Sequence, residues 1–364
     1  MKWTFLTVVF LHGIIHLLGF VKGFDLKEIK EFTVPTSKLM GVMWLCAFIL
    51  FAIYIFSFVT NHKYAWFFGF FAVALSQILI VVFWKDAKFG TMPNLLVFIV
   101  SVFMFSSFNF QHLVESETLA ILGNSNIESE KIVSEGDIEN LPPPVQHWLR
   151  QSGVVGKPFI NAGIVHQNAE MKLKPEQDKW MTATAVQYTT IDNPAFIWTV
   201  DVKMNRLLNF KGRDKFQDGK GEMLIKVNSL INVVNEQGEK LDEGTIQRYL
   251  GEMVWFPSLA LSEYISWESI NDSTAKATMN YKGTTGSGTF FFNSLGDVVK
   301  FSAFRFYGNH SEAKRHEWVM KIDDYKVFEG IKVPAKMSAT WKLDEGDWTW
   351  LNLEVTEIRY NCRD

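Results

Sequence analysis

Residues 39–60 read LMGVMWLCAFILFAIYIFSFVT and contain no charged side chain. About 20 such residues in a helix cross the hydrocarbon core of a bilayer, which is about 30 Å thick. Three more uncharged stretches occupy residues 3–21, 64–84 and 89–114. Inside a bilayer no water satisfies the backbone N–H and C=O groups, so all four stretches are expected to be helices. The sequence therefore predicts a four-helix transmembrane domain over residues 1–114.

The orientation of these helices follows from the lysines in their connectors. Basic residues favour the cytoplasmic side of a membrane. Six lysines lie in the first and third connectors, namely Lys22, Lys27, Lys30, Lys38, Lys85 and Lys88, whereas only Lys2 and Lys63 lie on the other side. We therefore predict a multi-pass protein of a bacterial inner (plasma) membrane whose C-terminal domain is extracytoplasmic.

Four polar residues inside the predicted spans are candidate functional residues: His12, His16, Gln77 and Asn109. His12 and His16 are four residues apart and share one helix face. Such a pair can hold iron or a quinone head group, or relay protons. Alternatively, it can form hydrogen bonds that hold helices together. The second interpretation is favoured, because a metal site needs further ligands, and the spans contain no acidic residue and only one cysteine, Cys46.

The sequence changes character after the fourth span. Residues 115–140 are acidic, show no lasting apolar period and are predicted to be a linker. In the remainder, residues 141–364, apolar and polar residues alternate, as in Ala275, Ala277, Met279 and Tyr281. A period of two indicates half-buried strands. Turn signals such as Lys282-Gly283 separate these strands, so we predict ten to twelve strands in an antiparallel sheet.

One helix, over about residues 242–256, interrupts the strands. Asp242 is a suitable N-cap, and an apolar stripe runs from Ile246 to Val254. A sheet with one apolar face needs a cover, and this helix can supply it. The predicted fold is a four-helix transmembrane bundle followed by an α+β domain, in which a large curved antiparallel sheet, or half-barrel, is covered by one or two helices.

Three motifs resemble those of an uncharacterised bacterial family: LPPPVQxWL at 141–149, GVVGKP at 153–158 and WFP at 255–257. Members of that family have a β-rich domain of unknown function, often behind N-terminal membrane helices. The resemblance implies no catalytic residue. In architecture alone, the C-terminal half is also remotely similar to lipoprotein-carrier folds, which hold acyl chains on a concave face.

The sequence favours a binding role over an enzymatic one. It has no P-loop, dinucleotide fingerprint, HExxH or GxSxG motif, so no catalytic residue, metal or cofactor is predicted. A hydrolase with paired carboxylates stays open, because its partners would be distant in sequence. A net charge of −3 without a basic stripe argues against nucleic acid as a partner. The oligomeric state is left open.

The expected partners are membrane lipid and an apolar or lipid-like ligand bound between helix and sheet. The aromatic residues of the C-terminal half fill a core, and some of them are expected to line such a cavity. The residues predicted to form the ligand wall are Trp198, Tyr249, Met253, Trp255 and Phe256. The alternative is a small redox or quinone-interacting membrane protein that uses His12 and His16, with the β domain as an accessory. A purely structural envelope protein is a third possibility.

Overall fold

The structure is a computed structural model that describes residues 2–29, 32–127, 131–205 and 208–362. The chain divides into two compact units, Met1–His112 and Leu113–Asp364. Lys30 of the first connector and Glu128 and Glu130 of the predicted linker lie outside the described residues.

The first unit is helical, as predicted. Its helices are α1 (Lys2–Gly23), α2 (Lys38–Val59), α3 (Ala65–Val82), the single turn α4 (Trp84–Ala87) and α5, which begins at Thr91. Among the described residues, four helices are long and apolar enough to cross a membrane, the last being counted from Trp84 to Gly123. Glycines let α1 and α2 approach closely, since a Cβ on Gly19 would lie only 2.3 Å from the ring of Trp44.

Helix α5 (Thr91–Gly123) is longer than the predicted fourth span. Its 33 residues extend over about 50 Å, more than the roughly 30 Å of a hydrocarbon core. The first part of the predicted linker, residues 115–123, is therefore helical. Two contacts hold this end of the helix within the second unit: Glu117 pairs with Lys215 at 2.8 Å, and Ile121 packs on Ile197.

In the part of the second unit that the structure describes, one antiparallel sheet has thirteen strands. In chain order the strands are β1 (Ala162–Met171), β2 (Met181–Thr190), β3 (Ala195–Lys203), β4 (Asn209–Gln217), β5 (Lys220–Val227), β6 (Ile231–Gln237), β7 (Ile265–Asn271), β8 (Thr274–Tyr281), β9 (Thr284–Phe292), β10 (Val298–Phe306), β11 (Arg315–Phe328), β12 (Ile331–Leu343) and β13 (Gly346–Tyr360). The sheet is unclosed: its order is β6-β5-β4-β3-β2-β1-β13-β12-β11-β10-β9-β8-β7, so β6 and β7 are its edges.

The sheet curves so strongly that hairpins from its two halves meet. The β4–β5 turn carries Asp218 and Gly219, and the β8–β9 turn carries Lys282. Lys282 forms an ion pair with Asp218, and Thr284 Oγ1 donates a hydrogen bond to the carbonyl oxygen of Gly219 at 2.6 Å. The curvature creates a concave, apolar inner face, which confirms the predicted half-barrel.

The inserted helix, α8 (Glu239–Gly251), connects the two edge strands and therefore crosses the concave face. It packs on β4 and β5 from one half of the sheet and on β8, β9 and β10 from the other. Gly286 permits this contact, because a Cβ there would lie 2.5 Å from Ile246 Cγ2. Two 3₁₀ turns, Glu252–Trp255 and Pro257–Leu261, continue the chain.

The observed helix begins earlier than the predicted 242–256, and Asp242 is not its N-cap. Asp242 lies in the first turn of the helix, and its carboxylate accepts hydrogen bonds from the backbone N–H of Gly221 at 2.8 Å and from Lys220 Nζ at 2.9 Å. Its role is therefore to fasten the helix to β5. Two shorter helices, α6 (Glu135–Ile138) and α7 (Pro143–Ser152), precede the sheet. The buried Trp148 of α7 packs on Phe290 of β9.

Candidate functional site

A cavity of about 410 Å³ lies between α8 and the concave face of the sheet. Its wall is rich in tryptophan. The tryptophans that line it are Trp198, Trp255, Trp318, Trp341, Trp348 and Trp350. Trp198, Trp255 and Trp318 are buried, whereas Trp348 and Trp350 are only partly buried. The cavity therefore has an apolar floor and an aromatic rim, as a site for an apolar ligand requires.

Two of the five predicted wall residues line this cavity. Trp198 lies on β3 with its Nε1 donating to Gln167 Oε1 at 2.9 Å, and Trp255 follows α8 with its Nε1 donating to the carbonyl of Pro334 at 3.1 Å. Both indole N–H groups are satisfied, so these side chains hold fixed positions in the wall.

The other three predicted wall residues lie in the core, outside the cavity lining. Tyr249 stacks on Phe196, and its hydroxyl donates to the carbonyl of Thr190 at 2.6 Å. Met253 is fully buried, and Phe256 packs on the ring of Tyr360. The periodicity of α8 identified its apolar stripe, but this stripe faces the sheet, and the cavity lies on another side of the helix.

A buried charge network forms one side of the cavity. Arg248 of α8 donates from Nη1 to Asp214 at 2.7 Å and from Nε to Glu252 at 2.7 Å. Glu252 also accepts from Gln187 Nε2 at 2.8 Å. Arg248 and Glu252 are four residues apart, a spacing at which side chains on a helix meet. Asp214, by contrast, reaches the site from the distant strand β4, so no local pattern in the sequence pairs it with Arg248.

Burial controls the charges of this network. Removal from water raises the pKa of Asp214 above its ordinary value, although the nearby Arg248 acts in the opposite direction. Burial alone would lower the pKa of Arg248, but Glu252 and Asp214 outweigh this effect and raise it. Arg248 is therefore a permanent cation whose charge is balanced by carboxylates bound to it.

Arg305 is a cavity residue that the sequence analysis missed. It lies on β10 between α8 and the ring of Trp318, with its Cζ 4.5 Å from the ring centroid. A Cβ on Gly244 of α8 would approach Arg305 Nη2 to 3.2 Å, so the glycine leaves room for the guanidinium. The alternation of the strand could have identified it. Arg305 follows Phe301 and Ala303 at a spacing of two, so its side chain shares their inward face.

A larger depression, of about 550 Å³, lies where β1, β2, β12 and β13 run side by side, and it shares Met337 and Leu353 with the aromatic cavity. Its lining includes exposed polar side chains, such as Asn168, Glu170 and Thr184, together with charges of both signs. This surface is typical of a solvated sheet face, so the aromatic cavity is the stronger candidate.

In the helical unit, His12, His16 and Gln77 belong to one hydrogen-bond network. His16 Nδ1 donates to the carbonyl of His12 at 2.8 Å, so in the neutral ring its Nε2 accepts from Ser76 Oγ, also at 2.8 Å. His12 Nε2 bonds Asn94 Oδ1 at 2.9 Å, and Asn94 Nδ2 donates to Gln77 Oε1 at 3.0 Å. The network links α1, α3 and α5.

Asn109, the fourth predicted intramembrane residue, is exposed and does not take part in this network. The geometry favours the structural interpretation of the histidines, because both nitrogens of His16 are already engaged. Among the described residues, no cluster of three or more histidine, cysteine, aspartate or glutamate side chains could hold a metal ion.

Comparison with known proteins places the second unit in a family. The model of a family of unknown function, DUF6544, matches residues 131–353. The chain belongs to this family. Membership agrees with the resemblance inferred from the sequence motifs, and it assigns no activity. No curated protein matches the chain.

Two solved structures are similar to the chain. One is a LolA superfamily protein from Nitrosomonas europaea, with 10% identity and a TM-score of 0.35, covering 59% of this chain and 92% of that one. The other is a beta-barrel-like protein with a domain of unknown function, DUF1849, from Brucella abortus, with 8% identity and a TM-score of 0.19, covering 56% of this chain and 98% of that one.

Proposed function

We propose that the β unit of this DUF6544 member binds the apolar chain of a lipid-like ligand in the aromatic cavity, while the helices hold the protein in a membrane. The observation that carries this proposal is the cavity itself: about 410 Å³ between α8 and the sheet, lined by three buried and three partly buried tryptophans. Ligand sites have volumes of about 300–1,000 Å³ and mainly apolar walls. If the concave face only had to form a hydrophobic core, side chains would fill this space, because protein interiors are closely packed.

The redox or quinone alternative has less support. A cavity of about 420 Å³ does adjoin His12 and His16. However, His16 uses both ring nitrogens in hydrogen bonds within the helical unit, and His12 uses Nε2 in the same way. The purely structural role does not explain the aromatic cavity. Ligand binding by the β unit is therefore the function that the geometry supports best.

A photo-cross-linking experiment on the full-length protein tests ligand binding. Stearyl alcohol carrying a mid-chain diazirine is the probe, and cross-linked peptides are mapped by mass spectrometry. We expect adducts on β12 and β13, which contribute Ala339, Trp341, Trp348 and Trp350 to the cavity. Ala339→Phe places a ring in the cavity and should reduce these adducts about tenfold, equivalent to about 1.4 kcal/mol.

The matched control is Thr356→Phe, which adds the same ring at an exposed position of β13. It should leave the adducts unchanged. Adducts that are absent from the β unit, or that persist undiminished in Ala339→Phe, would reject the cavity as the binding site.

We further propose that the β unit faces the extracytoplasmic side of the plasma membrane. The support is the bias of the connectors, where Lys22, Lys27, Lys38, Lys85 and Lys88 oppose Lys2 and Lys63. We expect protease added to intact cells to remove a C-terminal tag. A tag that is cleaved only after lysis would overturn this orientation and leave the binding proposal standing.

A further inference from the structure

Among the described residues that line the cavity, the buried side-chain atoms without a hydrogen-bond partner are all donors. They are Gln167 Nε2, Arg305 Nε, Trp318 Nε1, Trp348 Nε1 and Trp350 Nε1. A buried polar group without a partner is costly, so a cluster of them requires an explanation. All five are donors, and each of them needs an oxygen acceptor.

The carboxylates near Arg305 are already bound to other arginines. Asp214 and Glu252 are held by Arg248 at 2.7 Å each. Glu243 is held by Arg315, whose Nη2 lies 2.6 Å from Oε2. Arg305 itself makes no ion pair with any residue that the structure describes. Glu252, Asp214 and Glu243 act on its charge only at longer range, so the guanidinium stands in the cavity without a carboxylate in direct contact.

The contacts of Arg305 keep it charged and in place. Trp318 and Trp341 present their rings to the guanidinium at 4.5 and 5.7 Å, an arrangement that stabilises a cation. Burial, with a smaller contribution from Arg248, lowers the pKa of Arg305 to about 10, which is still far above neutral pH. A guanidinium held in this way offers a planar pair of donors that matches a carboxylate or a phosphate.

We propose that the ligand is an anionic amphiphile whose carboxylate or phosphate head group binds Arg305 while its alkyl chain lies against the tryptophans. This inference rests on the proposed function and adds the charge of the ligand to it. A cationic or purely hydrocarbon ligand would give the guanidinium no acceptor.

The test compares head groups on one alkyl chain. In full-length protein cross-linked with the diazirine stearyl alcohol, unlabelled stearate, stearyl phosphate and stearyl alcohol compete for the adducts on β12 and β13. We expect stearate or stearyl phosphate to compete about tenfold to a hundredfold better than the alcohol, the range of a charge-assisted hydrogen bond. The two acids show whether the site prefers a carboxylate or a phosphate.

Arg305→Gln should reduce this preference to about twofold or less, and Arg305→Lys should give an intermediate value, because it keeps the charge and loses the planar fork. Arg150→Gln is the control, since it removes an equal charge from an exposed position on α7. Cross-linking by the alcohol probe shows that each variant retains its cavity.

The outcomes separate the two proposals. If the alcohol probe labels the cavity and all three competitors are equal, or if Arg305→Gln keeps the preference for acids, the anion site is rejected and the apolar site stands. If no probe labels the β unit, the proposed function itself fails.

Discussion

Arg248→Ala is expected to lower the free energy of unfolding of the β unit by about 3–5 kcal/mol. The Arg248 side chain is only 16% exposed, and the substitution would leave the carboxylates of Asp214 and Glu252 buried without a cation. Removing one partner of a buried ion pair lowers the free energy of unfolding by about this amount, because the other charge stays buried without a counter-charge. Urea unfolding of the full chain in a neutral detergent, followed by tryptophan fluorescence, measures the change.

The effect of Arg248→Ala should depend on pH. Burial already raises the folded-state pKa of Asp214 above its unfolded value, so ionisation of this group reduces stability once the pH exceeds the unfolded pKa. Without Arg248 that pKa should rise further. The loss of stability should therefore be largest at neutral pH and shrink as the pH falls towards about 4, the ordinary pKa of an aspartate.

Arg150→Ala provides the comparison for this experiment. Its ion pair with Glu135 is exposed, with a separation of 2.8 Å, and such pairs contribute about 0–1 kcal/mol. Should Arg248→Ala cost no more than Arg150→Ala, the network would not hold α8 against the sheet. A loss that is independent of pH would point to lost packing on Phe196 and Trp198 instead of unpaired charge.

Phe301→Ala is expected to destabilise the β unit by about 3–5 kcal/mol, the usual cost of removing a buried phenylalanine ring. Phe301 is fully buried, and its ring centroid lies 4.8 Å from that of Phe290. Phe304→Ala, on the same strand, is the matched control. Its side chain is 63% exposed, so the change should be within about 0.5 kcal/mol. The same urea unfolding experiment measures both variants.

Gly288 provides a second check on the packing of Phe301. A Cβ on Gly288 would lie 2.1 Å from Phe301 Cζ, so Gly288→Ala should destabilise the wild-type chain by overpacking. In the Phe301→Ala background the same methyl group enters empty space and should cost much less. Additive losses in the double variant would show that the two residues are not in contact.

Much of the fold was predictable because its signals are local. An uncharged run such as residues 39–60 satisfies its backbone in a bilayer only as a helix, and this holds whatever surrounds it. The alternation of Ala275, Ala277, Met279 and Tyr281 likewise indicates a half-buried strand from a few residues. The predicted end of the fourth helix was less accurate, because the contacts of Glu117 and Ile121 extend the helix beyond the apolar run.

The candidate site was predicted only in part. Trp198 and Trp255 line the cavity, but the helix periodicity that selected Tyr249 and Met253 could not distinguish a face packed on the sheet from one that borders a cavity. Asp214 and Arg305 were missed, because their importance depends on neighbours that are distant in sequence.

The sequence by itself determined the four apolar helices, the antiparallel strands and the existence of a helix between them, since each depends on the pattern of a short segment. Only the tertiary structure decided that the first strand pairs with the last, as Gly163 does with Tyr360, and that α8 joins the two edges of the sheet. That connection forces the helix across the concave face and creates the cavity. A local pattern shows which residues avoid water, but it does not show which of them are in contact in the folded chain. The position of Arg305 in an aromatic cavity depends on such contacts between distant segments.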